Sequence, residues 1–373
     1  MKVSIRQFMG KQHSWCVVGQ NFAKYLIDLG HEVHIFSTDG IKHFPEELKL
    51  NLIGYVEEDQ PQKVYGRLPD KEYDCQISYT CMKNFPVYLG NGNKNRFGIW
   101  CYEWSGENIL PTGFAKNYKS CDKILSPSNY AKQIYIDSKI PEDHIVVLSH
   151  GIDENQFRNA KKINLKTNKK FKIFSNIIQN HLRKNIPGLL DAYGKAFTNK
   201  DDVCLVLKAN MNPVKMQFEI STQQCLNNFY KKYSNHGEVR IITEYVTNIA
   251  DLYYSCDAIF TMSNAEGFYF PGLEGLAVGK HSIAPAFGGQ LDFLNSENSL
   301  LIDGRVTRAN PLSMYWESKN NAKWFEPSIS DAVDKLKYSY NNFEILNNRI
   351  NTENILEKYS WKTITKDMLY LCV

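Results

Sequence analysis

Short apolar runs alternate with stretches of helical period through the first 150 residues, lapse at a polar, lysine-rich stretch around 158–170, and begin again at Phe171. A chain with that rhythm buries each strand between helices, so it predicts a parallel sheet covered on both faces. Val3, Ile5 and Phe8 form the first strand-like stretch, and Val18, Phe22, Leu26 and Leu29 follow at helical spacing. Gly30 ends that helix, and a second strand starts at 32–36. Further strand-like runs lie at 75–79, 96–100, 123–125 and 145–148, with Ser128 placed to cap a helix through Ala131, Ile134 and Tyr135. After the restart, strands are expected at 171–174, 203–207, 239–242, 258–262 and 282–284, with a helix through Ile186, Leu189, Leu190, Tyr193 and Phe197. Two α/β halves joined near residue 165 follow, and ligands in such sheets bind beyond the carboxyl ends of the strands.

Composition narrows the class. The 373 residues fill two domains of ordinary size, with 43% hydrophobic and 23% charged residues. No run of 18 apolar residues occurs, and the start lacks the apolar core of a signal peptide. The nine cysteines are scattered without a Cys-x-x-Cys pair, which argues against a disulfide framework or a zinc site and for reduced thiols in the cytoplasm. A net charge of +4 favours an anionic ligand or surface without requiring nucleic acid. The basic run from Lys161 to Lys172 is read as a solvated linker, with peripheral contact to membrane or nucleic-acid phosphates as the alternative.

One segment carries the most chemistry. From Ser263 the chain reads Asn264, Ala265, Glu266, Gly267, Phe268, Tyr269, Phe270, Pro271, Gly272, Leu273, Glu274, after a buried-looking strand and into a helix. Pro271 is the expected first helical residue, which puts Glu266 on the loop and Glu274 in the first turn. Backbone amides from Gly267 onward and the positive helix end suit a phosphate. Taken alone, Glu274 equally well complements the helix dipole and Glu266 is an ordinary loop acid.

This segment resembles the E-x7-E signature of retaining GT-B glycosyltransferases, the family-four-like group 1 transferases, with the Gly-Phe and the proline between the glutamates also in place. The resemblance runs from about residue 14 to the C-terminus and is strongest between 171 and 294. It implies an α/β chain of two Rossmann-like doubly wound domains facing a central cleft. Residues 1–165 would form the acceptor domain, 166–357 the nucleotide-sugar domain, and a helix at about 358–373 would pack back on the first. It also implies that Glu266 lies by the transferred sugar and that Glu274 bonds the ribose hydroxyls. Lys184 in the Arg183-Lys184 turn would contact the donor diphosphate, with Gly267, Phe268, Tyr269 and Gly289 beside the donor.

The family's arginine before that turn is replaced here by the stretch 176–180, which leaves Arg183 to substitute for it in catalysis. Gly10 and Lys11 occupy the place of the first glycine-rich loop, with the lysine's charge replacing lost amide contacts. Glu103 and Trp104 resemble an acceptor-side segment, and His150, in a stretch that resembles the family's signal closing the first domain, is placed on the acceptor side with them. No Asp-x-Asp pair occurs, so no metal and no resident cofactor are expected. The implied reaction is retaining transfer of a sugar from a nucleotide sugar to a glycan or lipid-linked glycan. The alternatives are a modified DNA base as acceptor, a phosphorylase or epimerase on the same fold, and a non-catalytic binder.

Overall fold

The computed structural model describes residues 1–10, 14–57, 63–67, 73–89, 94–111, 113–244, 246–314 and 321–372. The N-terminal sheet comprises β1 (Lys2–Gln7), β2 (Glu32–Ser37), β3 (Leu52–Val56), β4 (Val64–Gly66), β5 (Cys75–Tyr79), β6 (Arg96–Ile99), β7 (Lys123–Ser126) and β8 (Ile145–Val147). Its order is β4-β3-β2-β1-β5-β6-β7-β8, parallel except where β4 returns antiparallel to β3. The strand order reverses between β1 and β5. The predicted helical stripe is the helix Ser14–Asp28, which buries Val18, Phe22 and Leu26. Ser128 caps the helix Asn129–Asp137 by accepting from the Ala131 amide at 3.1 Å.

The second sheet comprises β9 (Phe171–Ile177), β10 (Val203–Ala209), β11 (Glu238–Ile242), β12 (Ala258–Phe260), β13 (Ser282–Pro285) and β14 (Ser299–Ile302). All its strands are parallel, in the order β11-β10-β9-β12-β13-β14, so the reversal falls between β9 and β12. A separate antiparallel hairpin pairs β15 (Gly304–Arg308) with β16 (Lys323–Pro327). Side chains alternate across the sheet. Phe171, Ile173, Ile177, Val203, Leu205 and Leu207 bury one face with the helices Ile186–Ala196, Thr222–Lys232 and Ile329–Asn348. Each such side chain contributes about 1.5–3 kcal/mol on burial. The other face, with Phe174 and Asn176, meets Tyr253 of the helix Ile249–Tyr254.

The chain forms two compact units. The first joins Met1–Tyr102 and Asn108–Asp153 with Lys358–Val373, and the second joins Glu103–Glu107 with Glu154–Glu357. The chain thus leaves the first unit at Asp153 and re-enters it at Lys358. The returning segment is fastened by the Ile152 amide, which donates to the Tyr359 carbonyl (2.8 Å), and by the Trp361 amide, which donates to the Ile152 carbonyl (3.1 Å). Buried Trp361 then packs edge-on against Phe22 at 5.4 Å, on the helix Ser14–Asp28.

Candidate active site

The strand-order reversal of the second sheet is where sequence and topology converge. β9 ends at Ile177, and the chain then makes a tight turn, Leu182–Lys184, that exposes two successive cations to one place. Asn185 follows in the left-handed region (φ 49°) and its side chain caps the next helix by accepting from the Gly188 amide at 3.1 Å. That one residue ends the turn and starts the helix, which fixes where Arg183 and Lys184 point.

β12 ends at Phe260, and the loop after it carries Glu266 to the same turn. The Asn264 amide donates to the Arg183 carbonyl (2.7 Å), and Asn264 Nδ2 donates to the Phe325 carbonyl (2.7 Å). Buried Glu266 then meets both cations: Oε2 lies 3.0 Å from Arg183 Nη1, and Oε1 lies 2.5 Å from Lys184 Nζ. Burial alone would push its carboxyl up, yet Lys184 and Arg183 hold it down at about 2. Gly289 donates its amide to the Glu266 carbonyl at 2.8 Å, so this glycine acts on the glutamate's backbone. Its neighbour Gly288 has φ +99°, and a Cβ there would lie 2.7 Å from the same carbonyl oxygen.

Arg183 is already occupied by protein groups. Nη1 also donates to the Ala265 carbonyl (2.8 Å), and Nη2 pairs with Glu103 Oε1 at 3.0 Å. A guanidinium forked between two carboxylates organises the site. Glu103, expected on the acceptor side, lies in the segment Glu103–Glu107, which belongs to the second unit, with Trp104 buried in it. Burial raises the Glu103 carboxyl, and Arg183 opposes that shift.

Glu274 lies on the helix Phe270–Ala277, into which the Glu266 loop leads. The helix starts one residue before the expected Pro271, so Glu274 lies beyond the first turn and does not serve the helix end. Its carboxyl is pushed up to about 7 by burial, against a hydrogen bond from Tyr253 that lowers it. Tyr253 is fully buried and also accepts from Asn176 Nδ2 at 3.2 Å. Neither residue was singled out in the sequence, because they meet Glu274 only through the tertiary fold. Tyr269 holds the left-handed conformation (φ 76°), unusual for a bulky side chain and characteristic of functional turns. Its ring is buried beside Gly272, where a Cβ would come within 2.7 Å of it. Phe268 is also buried, edge-on to Phe270 and tilted against Phe293. Both side chains therefore hold the loop in shape.

Three expected residues fall in the first unit's span, and two of them are described. Gly10 donates its amide to Asp39 Oδ1 at 2.8 Å, and a Cβ on it would strike the Gly40 carbonyl at 2.2 Å, so its N–H is used within the loop. Lys11 lies outside the described residues. His150 is buried and neutral, its ring pushed down to about 3 by burial, and it meets the Tyr79 hydroxyl at 3.3 Å.

A hollow of about 560 Å³ lined by Leu190, Asp191, Cys225, Phe229 and Tyr233 lies between the helices Ile186–Ala196 and Thr222–Lys232. None of the candidate site residues lines it, and the clustered charges locate the site better than this volume does. Among the described residues no three His, Cys, Asp or Glu side chains group as they would to hold a metal ion, and no helix is long and apolar enough to cross a membrane.

No model of a known protein family matches the sequence, and no curated protein sequence matches it. Solved structures do. HepE of Anabaena, in complex with UDP and glucose, is 13% identical with a TM-score of 0.71, over 100% of this chain and 99% of its own. A glycosyltransferase from Rickettsia africae is 17% identical with a TM-score of 0.71, over 100% and 98%. Sucrose-phosphate synthase from Thermosynechococcus elongatus is 13% identical with a TM-score of 0.70, over 99% and 98%. Likeness of this extent shows that the chain has the GT-B fold, with a Rossmann-like sheet in each unit.

Proposed function

We propose that this chain is a glycosyltransferase that takes a sugar from a nucleotide sugar and transfers it with retention of anomeric configuration. The observation that carries the reading is the Glu266 carboxylate, held ionised between Arg183 and Lys184 at the carboxyl ends of β9 and β12. In this reading the donor lies on the second unit. Its diphosphate draws Lys184 and the N-terminus of the helix Phe270–Ala277, Glu266 faces the transferred sugar, and Glu274 takes the ribose hydroxyls. Complexes of HepE with UDP and with UDP-glucose support a nucleotide-sugar donor.

As the bond from the anomeric carbon to the leaving oxygen breaks, negative charge grows on the diphosphate. Lys184 and the helix amides stabilise it there without a metal or resident cofactor. The acceptor hydroxyl attacks from the face that the diphosphate leaves, and its proton passes to the departing oxygen. A glycan or lipid-linked glycan is the acceptor class we infer, since a mutant of S. aureus TarM was solved with Fondaparinux, alpha-GlcNAc-glycerol and UDP, and WaaB is a lipopolysaccharide outer core galactosyltransferase. The free cysteines, most of them buried, support a cytoplasmic setting.

Thermal shift against UDP, GDP, ADP and CDP, with Lys184→Ala as control, tests the donor site. A ligand at about a hundred times its dissociation constant stabilises by roughly 2.7 kcal/mol. A shift with one base that vanishes in the control supports the reading, and no shift with any of them sinks it. NMR of the product's anomeric proton tests retention, and an inverted product would refute it.

A further inference from the structure

Lys208 is the penultimate residue of β10 and only 8% exposed. Lysines are rarely buried without a carboxylate, because burial penalises the charged form. Here Nζ donates to the Glu244 carbonyl at 2.9 Å, and among the described residues no carboxylate pairs with it. The Glu244 side chain instead accepts from the Thr243 amide, and its charge acts on Lys208 from farther off. An ammonium has three donors, and among the described residues only one of these is used, so this cation has donors to spare.

Its neighbour shows the complementary deficit. Lys208 is the register partner of Asn176 on β9, and both project from the face opposite the main core. Asn176 Nδ2 is spent on the Tyr253 hydroxyl, but Asn176 Oδ1 is buried without a partner among the described residues. Tyr253 in turn bonds Glu274. A file of polar side chains therefore runs Glu274, Tyr253, Asn176, Lys208 from the helix after β12 across β9 to β10. Buried donors and acceptors left open in this way point to a ligand that completes them.

We propose that Lys208 recognises the base of the nucleotide by donating to an exocyclic carbonyl oxygen, as uracil and guanine offer and adenine does not, with Asn176 Oδ1 accepting from the nucleoside beside it. This rests on the nucleotide-sugar reading above. A nucleotide sugar is linear, so with the diphosphate at Lys184 and the ribose at Glu274 the base continues along the file, toward β10 and the Glu244 carbonyl. The rival role for Lys208 is purely structural, pinning the loop after β11.

Calorimetric titration of the full chain with UDP, GDP and ADP separates these roles. Wild type is expected to bind UDP or GDP at least about tenfold tighter than ADP. Lys208→Met, which keeps the aliphatic stem, should erase that preference by weakening the oxo base about tenfold, the scale of a hydrogen bond to a charged group, while ADP shifts less than about twofold. Equal weakening for all three ligands, or none, in a folded variant overturns the assignment. Should Lys208→Met fail to fold, wild type can be titrated with thio-substituted nucleotides, because a thiocarbonyl is a poor acceptor. For UDP these are the 2-thio and 4-thio forms, and for GDP the 6-thio form. Loss of about tenfold at one of these positions supports the contact, and loss at none refutes it. No binding of any nucleotide by wild type would overturn the nucleotide-sugar reading and this one together. Binding without base preference would overturn this one alone.

Discussion

Lys184 Nζ lies 2.5 Å from Glu266 Oε1, so the cation proposed for the donor diphosphate is held by the carboxylate proposed to face the sugar. Donor binding must then redistribute one ion pair, and the two residues should respond oppositely to mutation. Lys184→Ala should lower nucleotide affinity by tenfold or more, since Glu266 keeps Arg183 as partner while the diphosphate loses its cation. Calorimetry on the variant checks this, and unchanged affinity would remove Lys184 from the donor site.

Glu266→Gln should tighten nucleotide affinity while transfer falls about a hundredfold or more. Without the carboxylate two buried cations lose their shared partner, and breaking a buried pair costs about 3–5 kcal/mol. The variant should therefore melt lower when empty and gain more from added nucleotide than wild type does. Paired melting curves with and without nucleotide decide it, and an equal gain in both proteins contradicts the account.

Glu274 makes stability fall as pH rises. Its carboxyl titrates at about 7 in the folded protein, against 4.5 for an ordinary glutamate. Between those values the folded state holds a proton that the unfolded chain has released, so this contribution is full below the lower value and gone above the higher. The slope is at most about 1.4 kcal/mol per pH unit. Urea unfolding at pH 5, 6, 7 and 8 should show that slope in wild type and a flatter one in Glu274→Gln. Glu266 has the opposite sign but acts only as pH falls from about 4.5 toward about 2, outside this window.

Gly288→Ala should cost about 1–3 kcal/mol, because φ +99° is strained for any side chain and the added Cβ meets the Glu266 carbonyl at 2.7 Å. The displaced loop carries Glu266, the carboxylate proposed to face the sugar, so activity should fall further than stability explains. Comparing the two losses at a temperature where the variant stays folded is the check.

Gly151→Ala tests the fastening of the returning chain. A Cβ there lies 2.7 Å from the Trp361 ring. The variant should loosen the helix Trp361–Tyr370, read as faster amide exchange in residues 361–370, while amides of the second sheet keep their protection. Protection lost evenly throughout would contradict this.

Periodicity made most strands legible. The runs at 75–79, 96–100 and 123–125 fall within a residue of β5, β6 and β7, because buried parallel strands are dense in apolar residues. The longest helix, Ile329–Asn348, was not anticipated: only Ala332, Leu336, Ser339 and Leu346 are buried along it, too sparse a stripe to stand out. In the site, the spacing of Glu266 and Glu274 was visible because both lie on one short segment. The engagement of Arg183 by Glu103 was not, since eighty residues of chain separate them, and neither was the file through Tyr253, Asn176 and Lys208. Contacts of that range leave no periodic trace.

The first unit depends on residues 358–372, while everything the second unit needs has been made by residue 357. On the ribosome the order of completion is therefore inverted. The second unit can close while the N-terminal half, synthesised first, still waits for the strip that carries Trp361. A chain that stalls or is cut before residue 358 would present a finished second unit tethered to a first unit whose Phe22 lacks its Trp361 cover.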